Sequence, residues 1–169
     1  RGAGVARSYL RQWLDMQRGQ LLQAAGTVVD TSGVGRSVSP SAEMLRLTGA
    51  DTYGVMVGSG VTAVDISDFA LATPIVHGVG AGQLSYGVVA LGAAVTDGTS
   101  RQFTVSRVFF NLSGGTVTVR EVGLQTFLTA GWQHLLVRDV LAAAVSVVNN
   151  GSVTVTYQQR VTAPGYLRG

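Results

Sequence analysis

Between Arg101 and Val161 apolar residues recur at every second position, interrupted by clusters of turn-forming residues. Phe103, Val105 and Phe109 share one parity, as do Val117 and Val119, and then Val153, Val155, Tyr157 and Val161, with Thr, Ser, Gln or Arg between them. A strand sends successive side chains to opposite faces, so this period of two predicts half-buried strands. Between the runs lie Asn111-Leu112-Ser113-Gly114-Gly115 and Asn149-Asn150-Gly151-Ser152, whose residues accept the positive φ of tight hairpins. The expectation is a set of antiparallel hairpins around a core built from the inward parity.

The rest of the chain supplies fewer constraints. From Ser8 to Ala25, Leu10, Trp13, Leu14, Leu21 and Leu22 fall at spacings that fit one helix face. Ser8 can cap its start, Gly19 weakens its middle and Gly26 lies where it would end. The stretch from Thr31 to Pro40 is rich in Gly and Ser and reads as a loop or extended arm. Glu43–Thr48 and Tyr53–Val57 are plausible strands, Leu84, Tyr86 and Val88 alternate as a further strand, and Asp97-Gly98-Thr99-Ser100 is a turn. No fixed-period repeat or Pro-rich linker divides the chain. The reading is all-β, roughly seven to nine strands in two antiparallel sheets packed as a β-sandwich of jelly-roll or immunoglobulin-like type. Residues 1–42 form an N-terminal helix and arm and 43–169 the sandwich.

Composition narrows the function. Among 169 residues 46% are hydrophobic and only 12% charged, about half the usual charged fraction of ~25%. Such a surface suits a protein that loses area to neighbours in an assembly. All 12 basic residues are arginine. The absence of lysine excludes a Walker-type phosphate loop, Schiff-base chemistry and a Lys–Asn isopeptide crosslink. Arginine pairs bidentately with carboxylates across interfaces, although a GC-rich genome produces the same bias. Net charge is +3, and Arg1, Arg7, Arg11 and Arg18 gather near the N-terminus as a solvated helix face or a contact with an acidic surface or nucleic acid. Cysteine is absent. No apolar run approaches the ~20 residues of a membrane-spanning helix, and the missing initiator Met suggests a processed chain or a fragment.

Catalytic patterns are missing where their spacing can be checked. Gly78, Gly80 and Gly82 are spaced in twos, with Gln83 where a dinucleotide fingerprint needs its third Gly. That segment reads instead as close backbone packing or a mobile connection. His77 and His134 are far apart, with no metal-ligand spacing around either. His134, among Trp132, Leu135 and Leu136, reads as a buried or edge histidine with a hydrogen-bond partner. No Gly-x-Ser-x-Gly elbow marks a nucleophile. Asp65 and Asp68 read as turn residues, Arg120 and Glu121 as opposite-facing neighbours that do not pair, and Arg138 and Asp139 as surface ions near a strand end. Aromatic and basic residues do not interleave as single-stranded nucleic acid requires. No catalytic residue, cofactor or metal is assigned.

One resemblance goes further. Asp68-Phe69-Ala70-Leu71-Ala72-Thr73-Pro74-Ile75-Val76-His77-Gly78, Gly80-Ala81-Gly82-Gln83-Leu84-Ser85-Tyr86, Phe103-Thr104-Val105-Ser106-Arg107, Val117-Thr118-Val119-Arg120-Glu121-Val122-Gly123-Leu124, Leu136-Val137-Arg138-Asp139-Val140-Leu141 and Val153-Thr154-Val155-Thr156-Tyr157 follow one another. This succession, from Gly54 to Val161, resembles small virion structural proteins of tailed bacteriophages and prophages. The resemblance implies a non-enzymatic, multicopy particle component in the head, neck or tail. A capsid-decorating, cementing or head–neck role is the first expectation, and a carbohydrate- or receptor-binding tail or tail-fibre component the alternative. Its partners would be major capsid, portal, neck or tail proteins and further copies of itself, trimeric or higher, with no membrane or nucleic-acid role. Binding would use apolar anchors with arginine at the rim. The candidates are Leu10, Trp13, Leu14, Arg11, Arg18, Phe110, Phe127 and Trp132, of which the aromatics can serve the protein's own core instead and the arginines a solvated helix face.

Overall fold

A computed structural model of the chain describes residues 9–22, 25–38, 51–127 and 131–162. Within them are one helix, α1 (Arg11–Leu22), and nine strands: β1 (Gly26–Val29), β2 (Gly35–Val38), β3 (Gly54–Gly58), β4 (Ser85–Leu91), β5 (Val95–Asp97), β6 (Ser100–Phe110), β7 (Val117–Phe127), β8 (Gln133–Val147) and β9 (Ser152–Thr162). The fold is mostly β, and every pairing between these strands is antiparallel. One sheet has the order β3-β7-β8. In the other, β9 runs beside all eleven residues of β6. A strand has only two edges, so β4 and β5 share the remaining edge of β6, one after the other. β1 and β2 form a separate hairpin.

The period-two pattern sorts side chains as expected over most of these strands. Val105 and Phe109 on β6, Val117 and Val119 on β7, and Tyr157 on β9 are buried. A single apolar cluster draws on both sheets, the helix and the hairpin, including Met16, Val28, Val57, Phe109, Leu124 and Leu136. Phe103 departs from the pattern at 37% exposure near the start of β6, and Arg107, on the same parity, is only 1% exposed. In β4 the parity changes midway: Tyr86 is buried, Val88 is 66% exposed and Val89 is buried again. A bulge between Tyr86 and Val89 causes the change. It includes Gly87, where a Cβ would stand 2.9 Å from the Val108 carbonyl oxygen.

The two turn clusters do not make hairpins. Asn111–Gly115 leads from β6 to β7 and Asn149–Gly151 from β8 to β9, and each pair of strands lies in different sheets. Gly114 (φ 81°) and Asn150 (φ 64°) provide the positive φ at these arches. The arches are laced together: Asn150 N–H donates to Asn111 O at 2.7 Å and Asn111 N–H to Gly151 O at 2.9 Å. The fully buried Asn111 side chain donates to Gly115 O (2.7 Å) and Val147 O (2.6 Å). Asp97 and Ser100 do close a hairpin, β5–β6, with Gly98 at φ 57°.

The N-terminal elements also depart from expectation. Leu10 is not on the helix; it precedes it in an extended segment, where its N–H donates to Leu136 O (2.9 Å) and Tyr9 bridges Val137. Helix α1 then packs on β1 and β8, with Gln12 and Met16 buried and Leu14 61% exposed. The expected cap Ser8, the strand Glu43–Thr48 and the 42/43 boundary lie outside the described residues. Most of the expected arm, Thr31–Val38, is the turn and second strand of the β1–β2 hairpin, docked on β8 by Thr31 N–H to Gln133 O at 2.9 Å.

Candidate functional site

The densest polar constellation is centred on Glu121 of β7. Its carboxylate is fully buried and accepts from Gly60 N–H (3.1 Å), Ala72 N–H (3.1 Å), Thr73 N–H (2.7 Å) and Arg138 Nε (2.9 Å). Gly58 and Gly60 give it room, since a Cβ on either would meet Glu121 Oε1 at 2.5 Å. Arg138 of β8, 1% exposed, also reaches Asp68 Oδ2 (2.6 Å) and Thr62 O (2.9 Å). Burial works against the guanidinium charge, but the bonds to Asp68 and Glu121 outweigh it and raise the Arg138 pKa. Asp68 thereby joins two roles: it holds the turn by accepting from Asp65 N–H (2.9 Å), and its carbonyl accepts Gln12 Nε2 (2.9 Å) from the helix. The surface-ion reading of Arg138 is therefore corrected: the residue lies within β8 and is buried. With four donors on its two oxygens, Glu121 acts as a fixed acceptor that folds residues 58–75 onto β7.

Arg107 makes a second buried cation. Nε donates to Gly87 O (2.8 Å) and Nη1 to Tyr53 O and Val55 O (both 3.1 Å), so one guanidinium ties β6 to β4 and to the segment entering β3. It also stacks 5.2 Å from the Tyr86 ring centroid. Burial lowers its pKa, partly offset by Tyr86, Tyr53 and Asp51.

The histidines lie apart. His134 is fully buried, its Nδ1 2.9 Å from Val29 O and its Nε2 without a hydrogen-bond partner. A donating Nδ1–H suits that carbonyl, and burial with no acceptor at Nε2 favours the neutral ring. Burial lowers its pKa, against the bond to Val29. Beside it, Asp30 closes the β1–β2 turn by accepting from Ser32 N–H (2.9 Å), Val34 N–H (3.0 Å) and Arg36 Nε (2.7 Å). Burial opposes the Asp30 charge, but these donors outweigh it and hold its pKa far below the usual carboxylate range. His77 is exposed, and its Nδ1 accepts Tyr86 N–H at 2.9 Å.

The glycine-rich connection around it is tightly packed. Gln83 accepts Gly80 N–H (2.8 Å), and a Cβ on Gly78 would meet Gln83 Oε1 at 2.2 Å. The Tyr86 hydroxyl donates to Ile75 O. A nearby cleft of about 370 Å³ is lined by Thr31, Asp51, Met56, Leu71, Ile75 and Gln125 among others. Its polar groups already have partners: Asp51 Oδ2 accepts His77 N–H (3.0 Å), and Gln125 Nε2 reaches Thr52 O (2.9 Å) and Gln133 Oε1 (2.8 Å). Among the described residues no three of His, Asp and Glu come together as metal ligands, and no helix is long and apolar enough to cross a membrane.

The expected interface residues divide into two sets. Leu10 is fully buried in the protein's own core. Phe127 is half-buried with its ring 5.9 Å from Tyr53, Trp13 is half-buried 5.2 Å from Tyr9, and Trp132 is half-buried under the Arg36 guanidinium, 4.8 Å from its ring centroid. Leu14, Arg11, Arg18 and Phe110 face outward. The structure does not gather the eight into one surface. It adds exposed apolar residues that the sequence reading did not single out, among them Val61, Ile66 and Val148, each at least 60% exposed, and it exposes Val161 (74%), which alternation had assigned to the core. Exposure of this kind has no marker in a local pattern.

Compared with known protein families, with curated proteins and with solved structures, the chain matches none.

Proposed function

We propose that this chain is a non-enzymatic, multicopy structural component of a bacteriophage virion, a β-sandwich that binds neighbouring subunits in a capsid-decorating, cementing or head–neck position. One contrast carries the reading. Glu121, Arg138, Arg107, Asn111 and Asp30 direct their polar atoms to internal backbone and side-chain partners, while Leu14, Val61, Ile66, Phe110 and Val161 lie exposed on a sparsely charged chain. Internal polar crosslinks make the body rigid, and exposed apolar area is the material of contact surfaces. The resemblance of Gly54–Val161 to phage structural proteins gives the assembly its kind. Localisation is the virion, with other virion proteins and further copies of the chain, trimeric or higher, as partners.

The receptor-binding tail alternative is less well supported. It draws on Trp132 as an exposed aromatic platform, and Arg36 already covers one face of that ring.

The test is fractionation of particles released by the host that encodes the chain. Its peptides are expected to band with intact virions in a density gradient and to resist a salt wash. Recovery only among slowly sedimenting proteins would overturn the proposal.

A further inference from the structure

The long sheet margins among the described residues are covered or broken, with one exception. The outer edge of β3 is occupied by the segment after the loop, through Ser59 N–H to Thr73 O (2.8 Å) and Ile75 N–H to Val57 O (3.0 Å). The outer edge of β8 receives Leu10 and Tyr9. Further along, its register to β7 jumps between Val140 and Val145, so Leu141–Ala144 interrupt the ladder. β4 carries the bulge between Tyr86 and Val89, and β5 has three residues.

β9 has none of these devices. It follows β6 for eleven residues without a register shift, contains neither Pro nor Gly, and carries one charge, Arg160. No described strand pairs with its other edge. Alternate residues of a strand turn both N–H and C=O to the same side, so roughly ten backbone groups face outward there. Edges left in this condition pair with another strand, which is why monomeric proteins blunt them. Val161, 74% exposed, and Phe103, 37% exposed, lie on this sheet's inward parity at the same end.

We infer that the β9 edge is where a second copy of this chain adds, β9 against β9, antiparallel about a two-fold axis, so that one sheet continues through both chains. The inference rests on the self-association part of the proposed function and names its surface. The occupant is a second copy because the strand matches itself. With the axis at Tyr157, Val153 meets Val161, Val155 meets Gln159, Thr156 meets Gln158 and Thr154 meets Arg160 of the other chain. The lone charge thus faces a hydroxyl and never its own copy, and the apolar parity of one strand continues into the other. Each contact occurs twice, as an isologous interface requires. A trimer alone has no two-fold axis, so two trimers joined through this contact form a hexamer with dihedral symmetry.

Sedimentation equilibrium of the purified full-length chain tests the inference, with two substitutions at the exposed Thr154. Thr154→Glu sets a carboxylate opposite Arg160 twice per dimer and is expected to tighten the dimer about tenfold. Thr154→Arg sets like charges there and is expected to weaken it about tenfold. The chain has no cysteine, so a mixture of Thr156→Cys and Gln158→Cys chains is expected to crosslink on oxidation, and Thr156→Cys alone is not. A chain that stays monomeric at the highest concentration measured, or a dimer indifferent to both Thr154 substitutions, overturns the inference. Because the purified chain is measured alone, this outcome is read independently of whether the chain bands with virions.

Discussion

Glu121 and Arg138 form an ion pair with almost no contact with water. Burying two charges costs several kcal/mol each unless their remaining donors and acceptors are met. Here backbone amides of the 58–75 segment complete the carboxylate and backbone carbonyls help complete the guanidinium. Glu121→Ala removes one acceptor shared by four donors and leaves Arg138 buried with Asp68 as its remaining carboxylate. The expected cost is about 3–5 kcal/mol, read as a lower urea midpoint at unchanged m-value. A loss below about 1 kcal/mol would mean that the pair behaves as a surface contact. Part of this was legible. Glu121 shares parity with Val117 and Val119, and Arg107 sits between Val105 and Phe109, so both charges were written onto the inward face. Their partners were not legible. Glu121 finds Arg138 through a strand whose register is shifted by bulges, and sequence spacing does not carry such shifts across strands.

The β1–β2 hairpin is held to β8 at one corner by Thr31, His134 and the Arg36–Trp132 stack. That corner titrates. The folded-state pKa of His134 is lowered from about 6.5, so the unfolded chain binds the proton more readily. This contribution to stability is complete above pH 6.5 and declines as pH falls through that value, by at most about 1.4 kcal/mol per pH unit. Asp30, whose pKa is also lowered, contributes stability that is fully present above about pH 3.8 and is lost as pH falls below that value. Between pH 7.5 and 5 the wild-type denaturation midpoint is expected to fall, and Trp132 emission in a Trp13→Phe background to change as the hairpin loosens. His134→Gln keeps a donor for Val29 O without titrating and is expected to flatten both curves. An unchanged slope in that variant would remove His134 as the cause. The sequence marked His134 as a buried or edge histidine with a partner, but not the hairpin that supplies it. Thr31–Pro40 reads as a loop because β1 and β2 are four residues each and little of their length alternates.

At the scale of the whole molecule, strand content and antiparallel pairing were legible because alternation is a local property. The route between sheets was not. Asn-Gly and Gly-Gly clusters suit a hairpin and an arch equally, since both need positive φ, and only the pairing of β6 with β9 and of β7 with β8 separates them. Outward-facing apolar residues also escaped the pattern, and the proposed function rests most directly on them. A body whose buried Glu121, Arg138 and Arg107 are paired internally, with exposed apolar residues, few charges and one unblunted strand edge, is suited to repeated contact with identical neighbours. Quantitative mass spectrometry of gradient-purified virions, referenced to the major capsid protein, tests this claim most directly. The account predicts many copies of the chain per particle, in a fixed ratio set by the symmetry of its site. A copy number near zero, or one that varies freely between preparations, would contradict it.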